Sequence, residues 1–364
     1  MNHADYAGAF IPGFVSALVE RGCEVTVVTP DKAGAKEPPA DHAVRWFKWA
    51  GSDRPIVALD LRSPRDLQRI FSLLREGERA LSQLVDAQLV DSCFALWAVP
   101  GGYLARRACG GRIPYSVWAL GSDIHVWARR PAAGWIVRDV LRHAAHRFAD
   151  GVELAGEVRR VSGLDCDFLP SARRLPAPAP LPKALGSGVN FLFVGRLEPV
   201  KGADVIVEAV LQLIRSGMDV RLTMCGTGSL FPALQQQIED GRAGHRVQLL
   251  ADVTGDVVAA LMSACDCLVV PSRNESIPVV FSESLQAGIP LLVTDVGDMG
   301  DLARKHGLAK PVPPGDPSAL ADSMRLFALN PDGHRAAYEK ARAELMQVFD
   351  IGAMADRFLS ITAT

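Results

Sequence analysis

Residues 191–202 read FLFVGRLEPVKG, and this stretch decides the fold class. It opens with an uninterrupted apolar run that ends at a glycine, which is typical of a strand buried on both faces of a parallel sheet. Ala203–Ser216 follows with the apolar spacing of a helix. The stretch therefore predicts a strand, a loop at the ligand-binding end of the sheet, and a helix.

The same alternation of strand and helix continues on both sides. Predicted strands towards the C-terminus are Asn190–Val194 itself, Val220–Cys225, Arg246–Leu250, Cys267–Val270 and Pro290–Thr294, with a further helix over Phe281–Ala287. Predicted strands towards the N-terminus are Glu24–Thr29, Gln88–Trp97, Tyr115–Ala119 and Gly151–Leu154, after a helix over Ala9–Arg21. Alternation at this spacing predicts parallel, doubly wound sheets.

We predict an α/β protein with two Rossmann-like doubly wound domains that face a cleft. The first domain covers residues 1–170, a proline-rich linker covers 171–188, and the second domain covers 189–345. The segment 346–364 has helical spacing and either caps the second domain or crosses back to the first. Met1–Gly8 contains no buried-strand pattern, so the first domain is expected to lack its first strand.

Composition narrows the class of protein. A net charge of -2 over 364 residues gives no case for nucleic-acid binding. The seven cysteines are scattered without a C-x-x-C pair, which favours buried thiols in a reducing cytosol over disulfides or a metal site. The longest apolar runs have only strand length, so no segment is expected to span a membrane.

One segment of the first domain is strongly basic. Between Tyr103 and Arg147 two aspartates stand against eight arginines, at positions 106, 107, 112, 129, 130, 138, 142 and 147. Such a face suits anionic lipid headgroups or phosphorylated acceptors. The alternative is a set of solvated helix faces, and the sequence leaves both open. The expected location is cytoplasmic, with peripheral binding to the inner face of the membrane as an extension.

Three motifs carry the candidate chemistry. Arg196 and Lys201 follow Gly195 at the end of a predicted strand, where two cations could compensate a leaving diphosphate. Gly226 and Gly228 end the next strand, and such a Gly-x-Gly turn is a weak motif alone.

The third motif is the most specific. Glu275 and Glu283 frame the start of a predicted helix, where backbone amides can bind phosphate oxygens. A carboxylate on a helix that packs on a sheet needs hydroxyl or cationic partners.

In this order the motifs G-R-L-x-x-x-K-G, G-x-G, P-S-x-x-E-x7-E-x-L-x-x-G-x-P and T-D-x-G resemble the retaining, GT-B-fold glycosyltransferases of family 4 (glycosyl transferases group 1). The resemblance covers Phe191 to about Phe327. It implies a nucleoside diphosphate sugar as donor, with no other cofactor and no metal. Arg196 and Lys201 would then bind the diphosphate, Glu283 the ribose hydroxyls and Glu275 the transferred sugar.

The resemblance also implies roles at the margins of the donor site. Backbone amides from Ser276, Ile277 and Val279 would assist, Asp252 would lie near the base, and Gly8 would stand in the glycine loop at the donor phosphates.

The acceptor side departs from the family pattern. Leu120 stands where many relatives carry a histidine, so no catalytic histidine is carried over. Asp123 or His125 could contribute instead, although either residue could equally be a structural group near a turn. In the family's retaining chemistry the donor phosphate itself can take the acceptor proton, so the loss of the histidine need not abolish activity.

The predicted function is transfer of a sugar from a nucleoside diphosphate sugar to a hydroxyl of a glycan or lipid-linked acceptor. Two alternatives remain at this point: another GT-B enzyme, such as a nucleotide-sugar epimerase or a phosphorylase-like protein, and a non-catalytic sugar-nucleotide-binding protein. The E-x7-E pattern together with G-R-L-x-x-x-K favours the transferase over the other GT-B enzymes, while Leu120 and the expected absence of a first strand leave the non-catalytic alternative open.

Overall fold

A computed structural model describes residues 8, 10–31, 41–53, 56, 59–60, 62–180, 186 and 188–363. The chain divides into two compact units. The N-terminal unit consists of Ile11–Pro170 and Met354–Thr364, and the C-terminal unit of Ser171–Ala353 with Gly8 and Phe10.

The described residues of the N-terminal unit form two parallel sheets. Its elements are α1 (Ile11–Val19), β1 (Thr26–Pro30), β2 (Ala43–Phe47), α2 (Pro64–Asp86), β3 (Cys93–Leu96), α3 (Tyr103–Cys109), β4 (Tyr115–Ala119), α4 (Pro131–His143), β5 (His146–Ala149), α5 (Val152–Ser162) and β6 (Asp167–Phe168). One sheet has the order β3-β4-β5-β6, and β1 pairs with β2 in the other. Every residue of β4 is buried, as expected for a strand inside a parallel sheet.

In the part of the C-terminal unit that the structure describes, the strands form one five-stranded parallel sheet. Its elements are β7 (Val189–Val194), α6 (Ala203–Arg215), β8 (Val220–Cys225), α7 (Phe231–Asp240), β9 (Val247–Leu250), α8 (Gly255–Ala264), β10 (Cys267–Val270), α9 (Val279–Ala287), β11 (Leu291–Val293), α10 (Gly297–His306), α11 (Pro317–Leu329) and α12 (Pro331–Phe349). The last helix of the chain is α13 (Ile351–Thr362). The prediction of an α/β fold with parallel sheets is confirmed.

The order of the strands places the candidate site. It is β11-β10-β7-β8-β9, so the chain builds outwards from β7 to β9 and then returns to the other side of β7. The carboxyl ends of β7 and β10 therefore flank the point where the strand order reverses, which is where open α/β sheets bind ligands. The loops that leave these two ends carry the predicted motifs.

An aromatic cluster organises the N-terminal unit. Phe14 lies 5.5 Å from Trp118 between ring centroids, and Phe94 lies 4.5 Å from Phe358 of α13. The indole of Trp118 is fully buried and donates a hydrogen bond of 3.0 Å to the carbonyl of Leu169. Because Phe358 takes part, the core of this unit includes α13 as well as residues of Ile11–Pro170.

Two predicted elements of this unit were wrong or displaced, and one strand was missed. The strand predicted at Gly151–Leu154 is instead the start of α5, because Leu154 and Val158 are buried at helical spacing; the strand is β5, just before it. The strand predicted at Gln88–Trp97 is confined to Cys93–Leu96, since Gln88 and Trp97 both have positive φ values. Strand β2 was not predicted at all.

Two predictions fall partly outside the described residues. The expected absence of a first strand concerns Met1–Gly8, of which only Gly8 is described. In the proline-rich segment, residues 171–180 form no helix or strand, and residues 181–185 and 187 are not described. Five cysteines are buried, Cys23 and Cys93 are half-buried, and all seven are free thiols.

Candidate active site

Loop 195–202 leaves β7 and packs directly against the loop that leaves β8. The amide of Leu197 donates a hydrogen bond of 2.8 Å to the carbonyl of Thr227, and the amide of Gly195 donates one of 3.0 Å to Cys225. The side chain of Leu197 is fully buried beneath this contact. These bonds fix the backbone on both sides of Arg196.

Gly226 and Gly228 make this close packing feasible. A Cβ on Gly226 would overlap the carbonyl oxygen of Gly195, and one on Gly228 would overlap that of Leu197. Gly226 also has a φ of 147°, which residues with a side chain rarely adopt. The sequence predicted a donor-binding role for both glycines. Their contacts give both a packing role as well, because the two loops can approach so closely only where there is no Cβ.

Loop 271–278, which leaves β10, is tied to loop 195–202 by three groups. The Arg273 amide donates a hydrogen bond of 2.8 Å to the carbonyl of Val200, and the Arg273 guanidinium forms an ion pair with Asp204 at the start of α6. This pair lowers the pKa of Asp204 and raises that of Arg273. The third group is Gly202, which lies so close to this loop that a Cβ there would overlap the carbonyl oxygen of Pro271.

The segment before α10 supports loop 271–278 from the other side. The hydroxyl of Thr294 donates a hydrogen bond of 2.6 Å to the carbonyl of Ser272. Gly297 has a φ of 48° and lies so close that a Cβ there would overlap the carbonyl oxygen of Glu275. The T-D-x-G motif at residues 294–297 therefore packs against the backbone of the loop that carries Glu275.

Lys201 and Glu275 meet as an ion pair across these two loops. The side chains of Lys201 and Glu275 are 20% and 19% exposed, so the pair is shielded but still open to a ligand. An ammonium has three donors, so Lys201 can keep Glu275 and still bind a phosphate oxygen. The structure therefore brings together two residues whose roles were predicted separately.

Glu283 lies on α9 and its side chain is 3% exposed. Its partner is Arg173, whose Nε donates a hydrogen bond of 2.5 Å to Oε1 of Glu283. Burial raises the pKa of Glu283, and the guanidinium of Arg173 opposes that rise. Gln286 holds the backbone of this segment, since its amide nitrogen donates a hydrogen bond of 2.6 Å to the carbonyl of Arg173.

Arg173 was missed by sequence reasoning because it lies in the segment interpreted as a linker. A signal was available: two adjacent arginines, Arg173 and Arg174, open a proline-rich stretch that carries no other arginine. A pair of cations at that point suggests an anionic partner, but the sequence gives no hint of which one.

A cavity opens between these loops in the C-terminal unit. Its described lining consists of Arg173, Val194, Gly195, Arg196, Cys225, Gly226, Thr227, Val253, Gly255 and Val258. Two guanidiniums and no carboxylate are among these residues. Within the described part of the chain, no residue forms an ion pair with Arg196. The cavity is therefore suited to an anionic ligand.

The other predicted donor-site residues are not among the described lining residues of this cavity. Asp252 is exposed and has a φ of 52°, next to the lining residue Val253. Ile277 is buried, and Val279 is the first residue of α9. The hydroxyl of Ser276 is buried without a hydrogen-bond partner among the described residues. Gly8, with a φ of 120°, lies in a turn.

Asp123 belongs to the N-terminal unit and is fully buried. Its Oδ2 accepts a hydrogen bond of 2.8 Å from the Ala98 amide, and its Oδ1 accepts one of 3.3 Å from Leu120. Burial raises its pKa, and these backbone amides oppose the rise. This environment favours the structural alternative for Asp123, and its catalytic role stays a prediction. His125 is exposed.

Most of the eight arginines in the basic segment have partners within the unit. Arg106, Arg107 and Arg112 pair with carboxylates, while Arg138, Arg142 and Arg147 donate to backbone carbonyls. Arg129 and Arg130 are exposed, and Arg130 lies 4.8 Å from the ring centroid of Trp127. The basic face is therefore narrower than its arginine count suggested.

The described residues lack two kinds of feature. They contain no group of three or more His, Cys, Asp or Glu side chains placed to hold a metal ion. Their helices include none that is both long and apolar enough to cross a membrane.

Comparison with known proteins identifies the C-terminal unit. Residues 188–329 match the family Glycosyl transferases group 1. The phosphatidyl-myo-inositol mannosyltransferase of Mycobacterium leprae (strain TN) is 28% identical over 304 residues, which cover 78% of this chain and 80% of the relative.

Solved structures show the same fold. Sucrose-phosphate synthase from Thermosynechococcus elongatus matches with a TM-score of 0.79 at 17% identity, over 97% of this chain and 92% of that one. Anabaena HepE in complex with UDP and glucose matches with a TM-score of 0.70 at 16% identity, over 98% of this chain and 96% of that one. Residues 188–329 are thus a glycosyl transferases group 1 domain, and the chain is a glycosyltransferase.

Proposed function

We propose that the C-terminal unit binds a nucleoside diphosphate sugar and that the enzyme transfers the sugar, with retention and without a metal ion, to an acceptor hydroxyl. The observation that carries this proposal is the cavity at the ends of β7 and β8, whose described lining includes Arg173 and Arg196 and no carboxylate. A diphosphate is the anionic group that such a cavity suits.

Four residues of the C-terminal unit have separate roles in the proposed transfer. Arg196 and Lys201 stabilise the negative charge that develops on the diphosphate as its bond to the sugar breaks. Glu275 accepts hydrogen bonds from hydroxyls of the transferred sugar, and Glu283 from hydroxyls of the ribose. The family resemblance supports these roles, and it assigns the acceptor proton to the donor phosphate. Two cations at the leaving group take the place that a metal ion holds in other transferases.

A uridine nucleotide is the first donor to test, because HepE was solved with UDP and glucose. The experiment is a panel of UDP-, GDP-, ADP- and dTDP-sugars, read by thermal stabilisation and then by acceptor-dependent release of the nucleotide. We expect one nucleotide to stabilise the fold and its sugar to be transferred in the presence of EDTA. Full transfer by an Arg196→Ala, Lys201→Ala double variant would sink the assignment. The anomeric configuration of the product, read by NMR, tests retention.

We propose further that the acceptor is a glycan or a lipid-linked molecule reached at an anionic membrane surface of the cytoplasmic side. Trp135 is 69% exposed and Val126 is 46% exposed. Arg129 and Arg130 are exposed between them in sequence. Exposed tryptophan beside arginines that make no ion pair with a described residue is the composition of a surface that binds anionic headgroups.

Vesicle sedimentation tests this surface. The enzyme should sediment with vesicles of phosphatidylglycerol and phosphatidylcholine but not with phosphatidylcholine alone, and an Arg129→Ser, Arg130→Ser variant should lose this binding. The matched control is Arg159→Ser, Arg160→Ser, which removes two exposed arginines of α5. Equal loss in both variants would mean a general charge effect and would contradict a specific surface.

A further inference from the structure

The ion pair between Arg173 and Glu283 joins an irregular segment to a helix at the candidate donor site. Arg173 and Glu283 have side chains that are 19% and 3% exposed, respectively. Arg173 also lines the cavity together with Arg196, so the buried carboxylate is linked through Arg173 to the wall of the space that a ligand would fill. A buried carboxylate needs such a partner because removal from water disfavours its charged form.

The geometry of the pair leaves one carboxylate oxygen for another donor. Both Nε and Nη2 of Arg173 contact the same oxygen, Oε1 of Glu283. Among the described residues, none donates a hydrogen bond to Oε2. An ionised carboxylate has acceptor sites on both oxygens, so Oε2 is available to a hydroxyl.

Other charged groups near α9 are engaged elsewhere. On α12, which packs against α9, Arg342 pairs with Glu339 and donates to the carbonyls of Leu285 and Gln286. On α8 the charged residue is Asp256, which is bound by Thr254. Arg173 is thus the charged group that acts on Glu283.

We propose that Arg173 is a positioning residue of the donor site: it holds Glu283 as a carboxylate with Oε1 occupied, so that Oε2 accepts a hydroxyl of the nucleotide's ribose. This inference rests on the proposed function and deepens it. Gln286 completes the arrangement, because it binds the backbone on both sides of Arg174 through the carbonyl of Arg173 and the amide of Leu175. The segment 173–175 is thereby part of the donor site.

The test compares the affinity of the full-length enzyme for UDP and for 2′,3′-dideoxy-UDP between pH 5.5 and 9. Their ratio isolates the ribose hydroxyls. For the wild type at pH 7.5 we expect a ratio of about 10- to 100-fold, since hydrogen bonds to charged groups contribute that much. Protonation of Glu283 weakens this contact, so the ratio should fall at low pH. In Arg173→Gln the ratio should fall at a higher pH, because burial then raises the pKa of Glu283 without the opposing charge of the guanidinium.

Three variants separate positioning from general damage. Arg215→Gln removes an exposed arginine at the far end of α6 and should keep the wild-type profile. Arg173→Lys keeps the charge and should restore most of the profile. The double variant Arg173→Gln, Glu283→Gln buries a neutral pair, so it should fold even where the single variant does not. In the Glu283→Gln background, Arg173→Gln should not change the ratio of the two affinities any further.

The outcomes distinguish the two proposals. The wild type could bind UDP while the pH profile of the ratio in Arg173→Gln coincides with that in Arg215→Gln. This result would overturn the positioning role of Arg173 and leave the proposed function standing. An additive effect of Arg173→Gln in the Glu283→Gln background would also overturn it, because Arg173 would then act independently. Absence of any nucleotide binding by the wild type would overturn the proposed function, and this inference would fall with it.

Discussion

Arg273 donates two hydrogen bonds to Asp204, from Nη1 to Oδ1 at 2.7 Å and from Nη2 to Oδ2 at 2.6 Å. Nη1 also donates one of 2.5 Å to the carbonyl of Pro199. The contact joins loop 271–278 to the loop and helix that carry Lys201. The Arg273–Asp204 pair therefore helps to set the distance between Lys201 and Glu275, although neither Arg273 nor Asp204 was predicted to bind the donor.

Asp204→Asn should reduce transfer more than it reduces stability. Asp204 and Arg273 are 42% and 35% exposed, so solvent screening limits the loss of stability to below about 1 kcal/mol. Displacement of the two loops should lower kcat/KM by about tenfold or more. Glu208→Gln, which breaks an exposed pair on the same helix, is the control. Equal kinetics in both variants would contradict the positioning role of Asp204.

The same pair has a defined pH dependence. Arg273 lowers the pKa of Asp204, so its contribution is fully present above the ordinary pKa of an aspartate, about 4. It is lost only as the pH falls through the lowered value. Above about pH 5, the kinetic difference between wild type and Asp204→Asn should therefore not vary with pH through this group.

Ser276→Ala should leave stability unchanged or slightly higher while it weakens donor binding. The hydroxyl of Ser276 is buried without a hydrogen-bond partner among the described residues, so its removal relieves an unpaired polar group. If the donor supplies the partner, affinity should fall by about five- to tenfold. Calorimetric titration with UDP-sugar and a thermal melt measure the two effects. Ser263→Ala, which removes a hydroxyl already bonded to Ala259, should not change the affinity.

Gly226→Ala should damage both stability and the site. The added Cβ meets the carbonyl oxygen of Gly195 and is forced into a φ of 147°, so we expect a loss of about 2–4 kcal/mol. Gly244→Ala is the matched control, because a Cβ there meets no atom within 4 Å. A Gly226→Ala protein that melts with the Gly244→Ala control would show that the two loops separate easily.

Arg173→Gln should destabilise the enzyme more at pH 8 than at pH 5. Without Arg173, burial raises the pKa of Glu283 further above the value in the unfolded chain. The unfolded state then releases its proton first as the pH rises, so stability declines above about pH 4.5 and levels off at the folded pKa. We expect about 3–5 kcal/mol at pH 8, as for a buried charge that loses its partner. A loss of melting temperature that is constant with pH would contradict this account.

The sequence predicted the C-terminal unit well because its signals are local. Val220–Cys225 and Cys267–Val270 are short segments bounded by turns, the second of them apolar throughout, and both were predicted to the residue. Gly226 and Gly228 were also found, but their packing against Gly195 and Leu197 depends on a neighbouring strand. That contact is invisible in a single sequence.

The parts that were missed depend on residues distant in the chain. Asp204 and Arg273 lie 69 residues apart, and Arg173 and Glu283 lie 110 residues apart. Neither pair follows from a motif, since only the folded sheet brings the partners together. In the N-terminal unit, β2 was missed because its partner β1 supplies the register that its short, mixed sequence lacks.

Helix α13 gives the N-terminal unit a particular order of assembly during synthesis. Phe358 packs against Phe14, Phe94 and Phe148, although more than 200 residues separate it from the last of these. Chains generally fold as they leave the ribosome, with N-terminal domains first. Here the earlier-made unit must wait with part of its aromatic core open until the final helix emerges, so a nascent chain stalled before Phe358 should expose those rings to chaperones.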